Sequence, residues 1–196
     1  MHDYKLIALD LDGTLLNSNK QLSAENAAAL RLASSRGVQI VPTTGRFFDG
    51  MPQVIRALPY LNYAITINGA QVQDLHSGEI VYRAELPLPR ALAILEYLDT
   101  LPVIYDCYCG NWGWMTRAMQ EQAAQFISDP HSLKMVRELR TPVDELKSYL
   151  RARGEAVQKL QLFVKDPSCR PAVMAELERR FPGIAASTSL ANNIEL

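Results

Sequence analysis

The sequence predicts an α/β fold in which a parallel, Rossmann-like sheet carries a second, α+β module inserted after its third strand. Three observations carry this. An apolar run over residues 4–11 ends in Asp10-Leu11-Asp12-Gly13. Strand-like and helix-like segments then alternate through short connections up to Asn68, the pattern of right-handed βαβ units. The character changes after about residue 85, where hairpins and helices mix.

Residues 4–11 read as a strand apolar on both faces, with Leu6, Ile7, Leu9 and Leu11, as in a buried parallel sheet. Ser23 is a suitable N-cap, Ala27, Leu30 and Ala33 recur at helical spacing, and Gly37 ends the helix predicted over 23–36. Residues 38–42 form the second predicted strand, which runs into Thr43-Thr44-Gly45-Arg46 and a predicted helix over 47–58. Residues 63–67 form the third, ending in Asn68-Gly69. Ligands bind beyond the carboxyl ends of strands in such sheets, and each of these three ends carries a polar cluster.

Residues 71–74 and 79–83 flank His76-Ser77-Gly78 and read as a hairpin. Beyond them the pattern predicts a helix near 88–98, strands near 103–108 and 112–116 joined by a Gly110-Asn111 turn, and a helix near 117–127. Residues 131–149 suggest a short strand and a helix. A strand over 157–164, a helix over 168–180 and short strands near 184–188 and 193–196 complete the chain. The domains are therefore read as a first part, 1–84, an α+β module, 85–188, and a final segment, 189–196.

In a strand, positions i and i+2 project to the same side, so Asp10 and Asp12 are expected close together. Their charges repel unless a cation, a shared proton or hydrogen bonds compensate them, and a hard, oxygen-seeking ion such as Mg²⁺ answers this. An EF-hand starting at Asp10 needs Gly at its sixth position and Glu at its twelfth; Leu15 and Gln21 stand there. No glycine is followed by lysine, and neither Gly-x-Gly nor Gly-x-Ser-x-Gly occurs, so Walker, dinucleotide and serine-hydrolase motifs are excluded. The competing reading is an ordinary Asp-Gly turn.

The bulk properties bound the rest. The 196 residues are 48% hydrophobic and 21% charged, with a formal charge of −1, and neither nucleic acid nor anionic membrane is an expected partner. No run of 18 apolar residues occurs, so no bilayer span is expected. The N-terminus enters a strand without a signal-peptide pattern, and three cysteines, Cys107, Cys109 and Cys169, suit a reducing compartment; a cytoplasmic protein is expected. Cys107-x-Cys109 lacks a second ligand pair, with His2, His76 and His131 scattered, and reads as packing in preference to a metal site.

Asp10-Leu11-Asp12-Gly13-Thr14-Leu15-Leu16, Thr44-Gly45-Arg46 and Asn68-Gly69-Ala70 closely resemble the Cof-type phosphatases of the haloacid dehalogenase (HAD) superfamily, with an α+β cap after the third strand. The resemblance spans the whole chain. It implies Mg²⁺-dependent hydrolysis of a small phosphorylated metabolite, such as a sugar phosphate, through a phosphoaspartate. Asp10 would be the nucleophile and Asp12 the general acid and base. An Asp10 oxygen and the Asp12 main-chain carbonyl would bind Mg²⁺. The Thr44 hydroxyl and the amides around Gly13 and Gly45 would hold the phosphoryl oxygens. Arg46 would touch phosphate or substrate, or else be solvated; Asn68 would bind substrate or serve as a left-handed turn residue. The cap would carry specificity, with Tyr105, Asp106, Tyr108, Trp112 and Trp114 either stacking on a ring or pairing across strands.

The chain departs from the family pattern in lacking the lysine that follows the cap and the later Gly-Asp-x-x-Asn-Asp segment. Asn193-Ile194-Glu195-Leu196 resembles the strand returning to the core. The expectation is a truncated member with the C-terminal core strands missing, impaired as a phosphatase or reduced to a non-catalytic, phosphate-binding or interaction module. Its first strand would be an exposed edge prone to self-association.

Overall fold

The computed structural model describes residues 4–196, which form two compact units. The first runs to Ala84 and the second from Glu85 to Leu196. His2 lies outside the described residues.

The first unit begins with β1 (Leu6–Asp10), α1 (Ala24–Ser35) and β2 (Gln39–Thr43), followed by α2 (Gln53–Arg56) and β3 (Tyr63–Thr66). β4 (Gln71–Asp74) and β5 (Ile80–Arg83) complete a sheet of order β1-β2-β3-β4-β5. β1, β2 and β3 are parallel, while β4 and β5 return antiparallel as the expected hairpin. The Ser23 hydroxyl caps α1 by accepting from the Asn26 amide, and the Asn26 side chain donates to Leu15 O at 3.1 Å. That bond ties the helix start to the turn that follows β1. Leu11, Leu15, Leu16, Leu30, Ile40, Met51, Ile55, Leu61 and Ala64 form the core. Each fully buried leucine or isoleucine is worth about 1.5–3 kcal/mol.

Two expectations are corrected here. The helix predicted over 47–58 is a 3-10 turn, Phe48–Gly50, and the four-residue α2. Pro52, which has no N–H to donate and restricts the residue before it, separates them. β1 is not buried on both faces: Leu6 is 55% exposed, and exposed and half-buried residues alternate along the strand. Among the described residues β1 is the edge of its sheet, and burial depends on neighbours that the strand's own composition does not supply.

The second unit comprises α3 (Leu88–Leu98), β6 (Val103–Cys109), β7 (Trp112–Thr116), α4 (Arg117–Gln122), α5 (Pro130–Glu138) and β8 (Thr141–Val143). α6 (Leu146–Arg153), β9 (Lys159–Val164), α7 (Arg170–Arg180) and β10 (Asn193–Glu195) follow. Its sheet order is β10-β9-β6-β7-β8. Alternation along β6 sends Val103, Tyr105, Cys107 and Cys109 into a core with Ala91, Leu95, Leu146, Leu160 and Leu177. Ile104 points to the opposite side, against Met115, Val136 and Phe163. The β6–β7 turn uses Gly110 (φ 62°) and Asn111 (φ 57°), both left-handed as a two-residue hairpin of this hand requires.

The helix expected over 117–127 shortens to α4 and a 3-10 turn, and residues 131–149 hold a helix, a strand and the start of α6. Near 184–188 only Ser187 bridges, to Glu195. The segment 189–196, read as a return to the first sheet, stays in the second unit, because Asn193, Ile194 and Glu195 pair antiparallel with Phe163, Leu162 and Gln161 of β9.

Candidate active site

β1 ends at Asp10, which lies beside Thr43 of β2, and Thr43 lies beside Ile65 of β3. This register brings the three polar strand ends of the first unit into one row. The chain turns immediately after Asp10: Leu15 N donates to Asp10 O and Leu16 N to Leu11 O, with Gly13 at φ 84°. A side chain at Gly13 would be strained in that region. The Thr14 hydroxyl donates to Asp10 Oδ2 at 3.3 Å. Asp12 therefore sits in the turn, not in the strand, and the simple i, i+2 picture does not hold for it.

The structure compensates the second carboxylate with protein cations. Arg46 grips Asp12 with two parallel bonds, Nε to Oδ2 and Nη2 to Oδ1, both 3.0 Å, the fork geometry in which guanidinium binds carboxylate best. Lys20 Nζ adds a contact to Oδ1 at 2.8 Å. Burial works to raise the Asp12 pKa, but the bonds and charges of Arg46 and Lys20 outweigh it and hold the carboxyl below the ordinary range. Arg46 is thus neither solvated nor directed elsewhere: its remaining Nη1 donates to Gly50 O.

The loops after β2 and β3 are laced together. Ile67 N donates to Arg46 O, Asn68 N to Thr44 O, and Thr44 N to Ile65 O. Thr44 is buried, and its Oγ1 accepts from Arg46 N. Ile67 (φ 53°), Asn68 (φ 55°) and Gly69 (φ 91°) are all left-handed. For a β-branched isoleucine this is a strained conformation, of the kind concentrated at functional sites. A Cβ on Gly45 would meet Asn68 Oδ1 at 2.3 Å, so the glycine is what lets the two loops approach. Asp10, Asp12, Gly13, Thr44, Gly45, Arg46 and Asn68 therefore all lie on these three interlocked strand ends. Motif reading misses Lys20. The Asn17-Ser18-Asn19 run before it is the available signal, because such residues curl a loop back on itself.

The oxygens that the family resemblance points to for Mg²⁺ are the Asp10 carboxylate, at the end of β1, and the Asp12 main-chain carbonyl, in the turn that follows. Among the described residues no cluster of three His, Cys, Asp or Glu residues occurs. Two protein oxygens fit an ion that keeps several of its waters.

The aromatic residues of the second unit are occupied within that unit. Tyr105 donates to Asp99, and Trp112 Nε1 to Thr141 Oγ1. Trp114 Nε1 donates to Cys109 O, and the ring lies 4.5 Å from that of Tyr149. Tyr108 lies under Arg140 and Lys159. Asp106 is fully buried, with Arg140 Nε 3.0 Å from its Oδ2; the angle makes this an ion pair, not an aligned hydrogen bond. Burial raises the pKa of both β6 cysteines, Cys109 to about 11 and Cys107 well above its ordinary value. Protonated thiols are poor metal ligands.

Residues 7–196 match the haloacid dehalogenase-like hydrolase family, and the chain belongs to it. Among curated relatives, the phosphatase YwpJ of Bacillus subtilis is 37% identical over 107 residues, 55% of this chain and 37% of that protein. The 5-amino-6-(5-phospho-D-ribitylamino)uracil phosphatase YcsE of the same organism is 42% identical over 72 residues, 37% of this chain and 29% of that protein. The matches thus span about a third of these relatives' lengths. A haloacid dehalogenase-like hydrolase from Bacteroides thetaiotaomicron superposes with a TM-score of 0.79 at 23% identity, over 99% of this chain and 71% of that one, and shares the fold.

Proposed function

We propose that this chain is a Mg²⁺-dependent phosphatase of small phosphorylated metabolites, sugar phosphates among them, acting through a phosphoaspartate. The convergence of Asp10, Asp12, Thr44 and Arg46 on adjoining strand ends carries this reading. Relatives named as phosphatases, one of them of a ribityl phosphate, support it. Asp10 attacks phosphorus and displaces the alcohol, splitting the reaction into two displacements. Asp12 gives its proton to the leaving oxygen and then takes one from the water that attacks the phosphoaspartate. The salt bridges from Arg46 and Lys20 favour the anion, the form the second step needs, and work against the protonated form the first step needs. The Thr44 hydroxyl and the amides around Gly13 and Gly45 hold the equatorial oxygens. The Asp10 carboxylate and the Asp12 carbonyl would hold Mg²⁺, which would supply neutralisation of the negative charge gathered at the site. With no third carboxylate in the cluster among the described residues, slow turnover is the expectation. The same observation favours the second reading, a phosphate-binding module without turnover.

Hydrolysis of p-nitrophenyl phosphate by the 196-residue chain tests this. Slow release of p-nitrophenol is expected, abolished by EDTA and by Asp10→Asn. Activity indifferent to both would sink the phosphatase reading, and phosphate binding without turnover would select the second.

A cytoplasmic location belongs to the same proposal: all three cysteines are free, and among the described residues no helix is long and apolar enough to cross a membrane. So does self-association through β1, an edge strand with Leu6 exposed. Sedimentation velocity is expected to show dimers or larger species, reduced by Leu6→Lys. A parent chain that sediments as a monomer at all concentrations removes this part of the proposal.

A further inference from the structure

Lys20 is held in an uncommon way for a lysine. Its backbone is left-handed, φ 58°, which non-glycine residues seldom adopt. The loop is closed around it: Lys20 N donates to Asn17 O, Asn17 N to Gln21 O, and Leu16 bridges Leu22. The Asn17 side-chain oxygen accepts from the amides of Asn19 and Gln21, both at 2.9 Å. The loop leaving β1 is thereby folded back, and the ammonium lands 2.8 Å from Asp12 Oδ1.

This contact contributes little to stability. Its partners are 31% and 35% exposed, and such pairs are weakened by solvent, salt and side-chain entropy. Its geometry has a different consequence. Arg46 approaches Asp12 from the loop after β2 and bonds both oxygens, while Lys20 approaches from the loop after β1 and takes Oδ1. The Arg46 fork sets the plane of the carboxylate, and Lys20, from a separate loop, adds a second, independent hold on Oδ1.

We propose that Lys20 is a positioning residue, holding the Asp12 carboxylate with Arg46 in the single orientation from which it exchanges a proton with the leaving oxygen and the attacking water. This rests on the phosphatase reading above. The Lys20 ammonium contacts the Asp12 carboxylate and acts through it. Arg46 is the other half of the clamp, which accounts for a motif arginine whose donors are already engaged by Asp12 and Gly50.

Steady-state kinetics of Lys20→Met and Lys20→Arg with Mg²⁺ and a phosphomonoester test the proposal, alone and in an Asp12→Asn background. Lys20→Met is expected to lower kcat by about tenfold to a hundredfold, the scale of a misplaced catalytic group, with KM within about twofold, and Lys20→Arg to restore most of the loss. In the Asp12→Asn background Lys20→Met is expected to change nothing further, because its effect passes through the missing carboxylate. A raised KM at constant kcat, or an undiminished loss in the Asp12→Asn background, overturns positioning and makes Lys20 a substrate contact. If the parent chain shows no metal-dependent turnover, the phosphatase reading fails on its own account. Positioning is then decided by crystal structures of the parent and Lys20→Met proteins: a reoriented Asp12 carboxylate upholds it and an unmoved one overturns it.

Discussion

Asp12→Asn is expected to cost an alkyl phosphate far more than p-nitrophenyl phosphate, while Asp10→Asn is expected to abolish turnover of both. kcat/KM reports the steps up to phosphoryl transfer onto Asp10. An alkoxide leaves poorly without a proton, and a positioned general acid is worth about 10²–10⁴-fold there. p-Nitrophenol departs as a stable anion and needs little help. The expected result for Asp12→Asn is a fall of about 10²–10⁴ in kcat/KM for the alkyl ester and less than about tenfold for the aryl ester. kcat falls for both, because breakdown of the common phosphoaspartate uses Asp12 as base. The substitution also leaves Arg46 and Lys20 without a charge to answer. That disturbance is common to the two substrates, so their ratio isolates the proton. Asp10→Asn replaces the nucleophile with a feeble amide, and a loss of at least about 10³-fold for either ester is expected. Equal losses in kcat/KM for the two esters in Asp12→Asn would remove Asp12 from the acid role.

The sequence is most legible where local chemistry decides structure. Ser23 and Gly37 mark the ends of the first helix, Gly110-Asn111 marks the hairpin turn, and the order of strands and helices in the first unit follows from periodicity. Legibility fails where two local signals compete. Apolar residues over 47–58 suggest one helix, yet Gly50 and Pro52 break it. It fails again where the answer lies in another segment. The composition of β1 fits a fully buried strand, but exposure of Leu6 is decided by what lies beside it. Asp12 is singled out by motif, yet its partners come from position 20, farther along the same loop, and position 46, on the loop after β2. With 20 lysines and arginines in the chain, no spacing rule selects those two. Asp106 is the same problem in another place: a lone acid within Ile-Tyr-Asp-Cys-Tyr-Cys has no local partner, and its cation stands 34 positions later at Arg140.

Arg140→Ala is expected to cost the second unit about 3–5 kcal/mol, because it leaves a buried carboxylate without its counter-charge. Arg140 and Asp106 are both almost fully enclosed, and Arg140 also bonds Tyr108 Oη at 2.8 Å and lies over its ring. The two tryptophans of the chain, Trp112 and Trp114, both belong to β7, so tryptophan fluorescence during urea unfolding reports this unit alone. Substituting both partners, Asp106→Leu with Arg140→Met, is expected to recover most of the loss, since an apolar pair of similar size needs no compensation. pH supplies an independent check. Burial already pushes the Asp106 pKa up, and the opposing charge of Arg140 holds it down; without that charge it rises further. A carboxyl that binds its proton more tightly folded than unfolded favours the folded state as pH falls. The deficit of Arg140→Ala against the parent is therefore expected to shrink between pH 7 and pH 5. An unfolding midpoint equal to the parent's at pH 7, or a deficit that grows on acidification, would show that Asp106 is not a buried anion dependent on Arg140. Lys159 stands on the neighbouring strand, also lowers the Asp106 pKa, and pairs with Glu195. It sets the upper limit on the rescue available without mutation, because turning toward Asp106 costs it the Glu195 contact. A larger penalty than that of Arg140→Ala alone is accordingly expected when it is combined with Lys159→Met, where both cations beside Asp106 are gone.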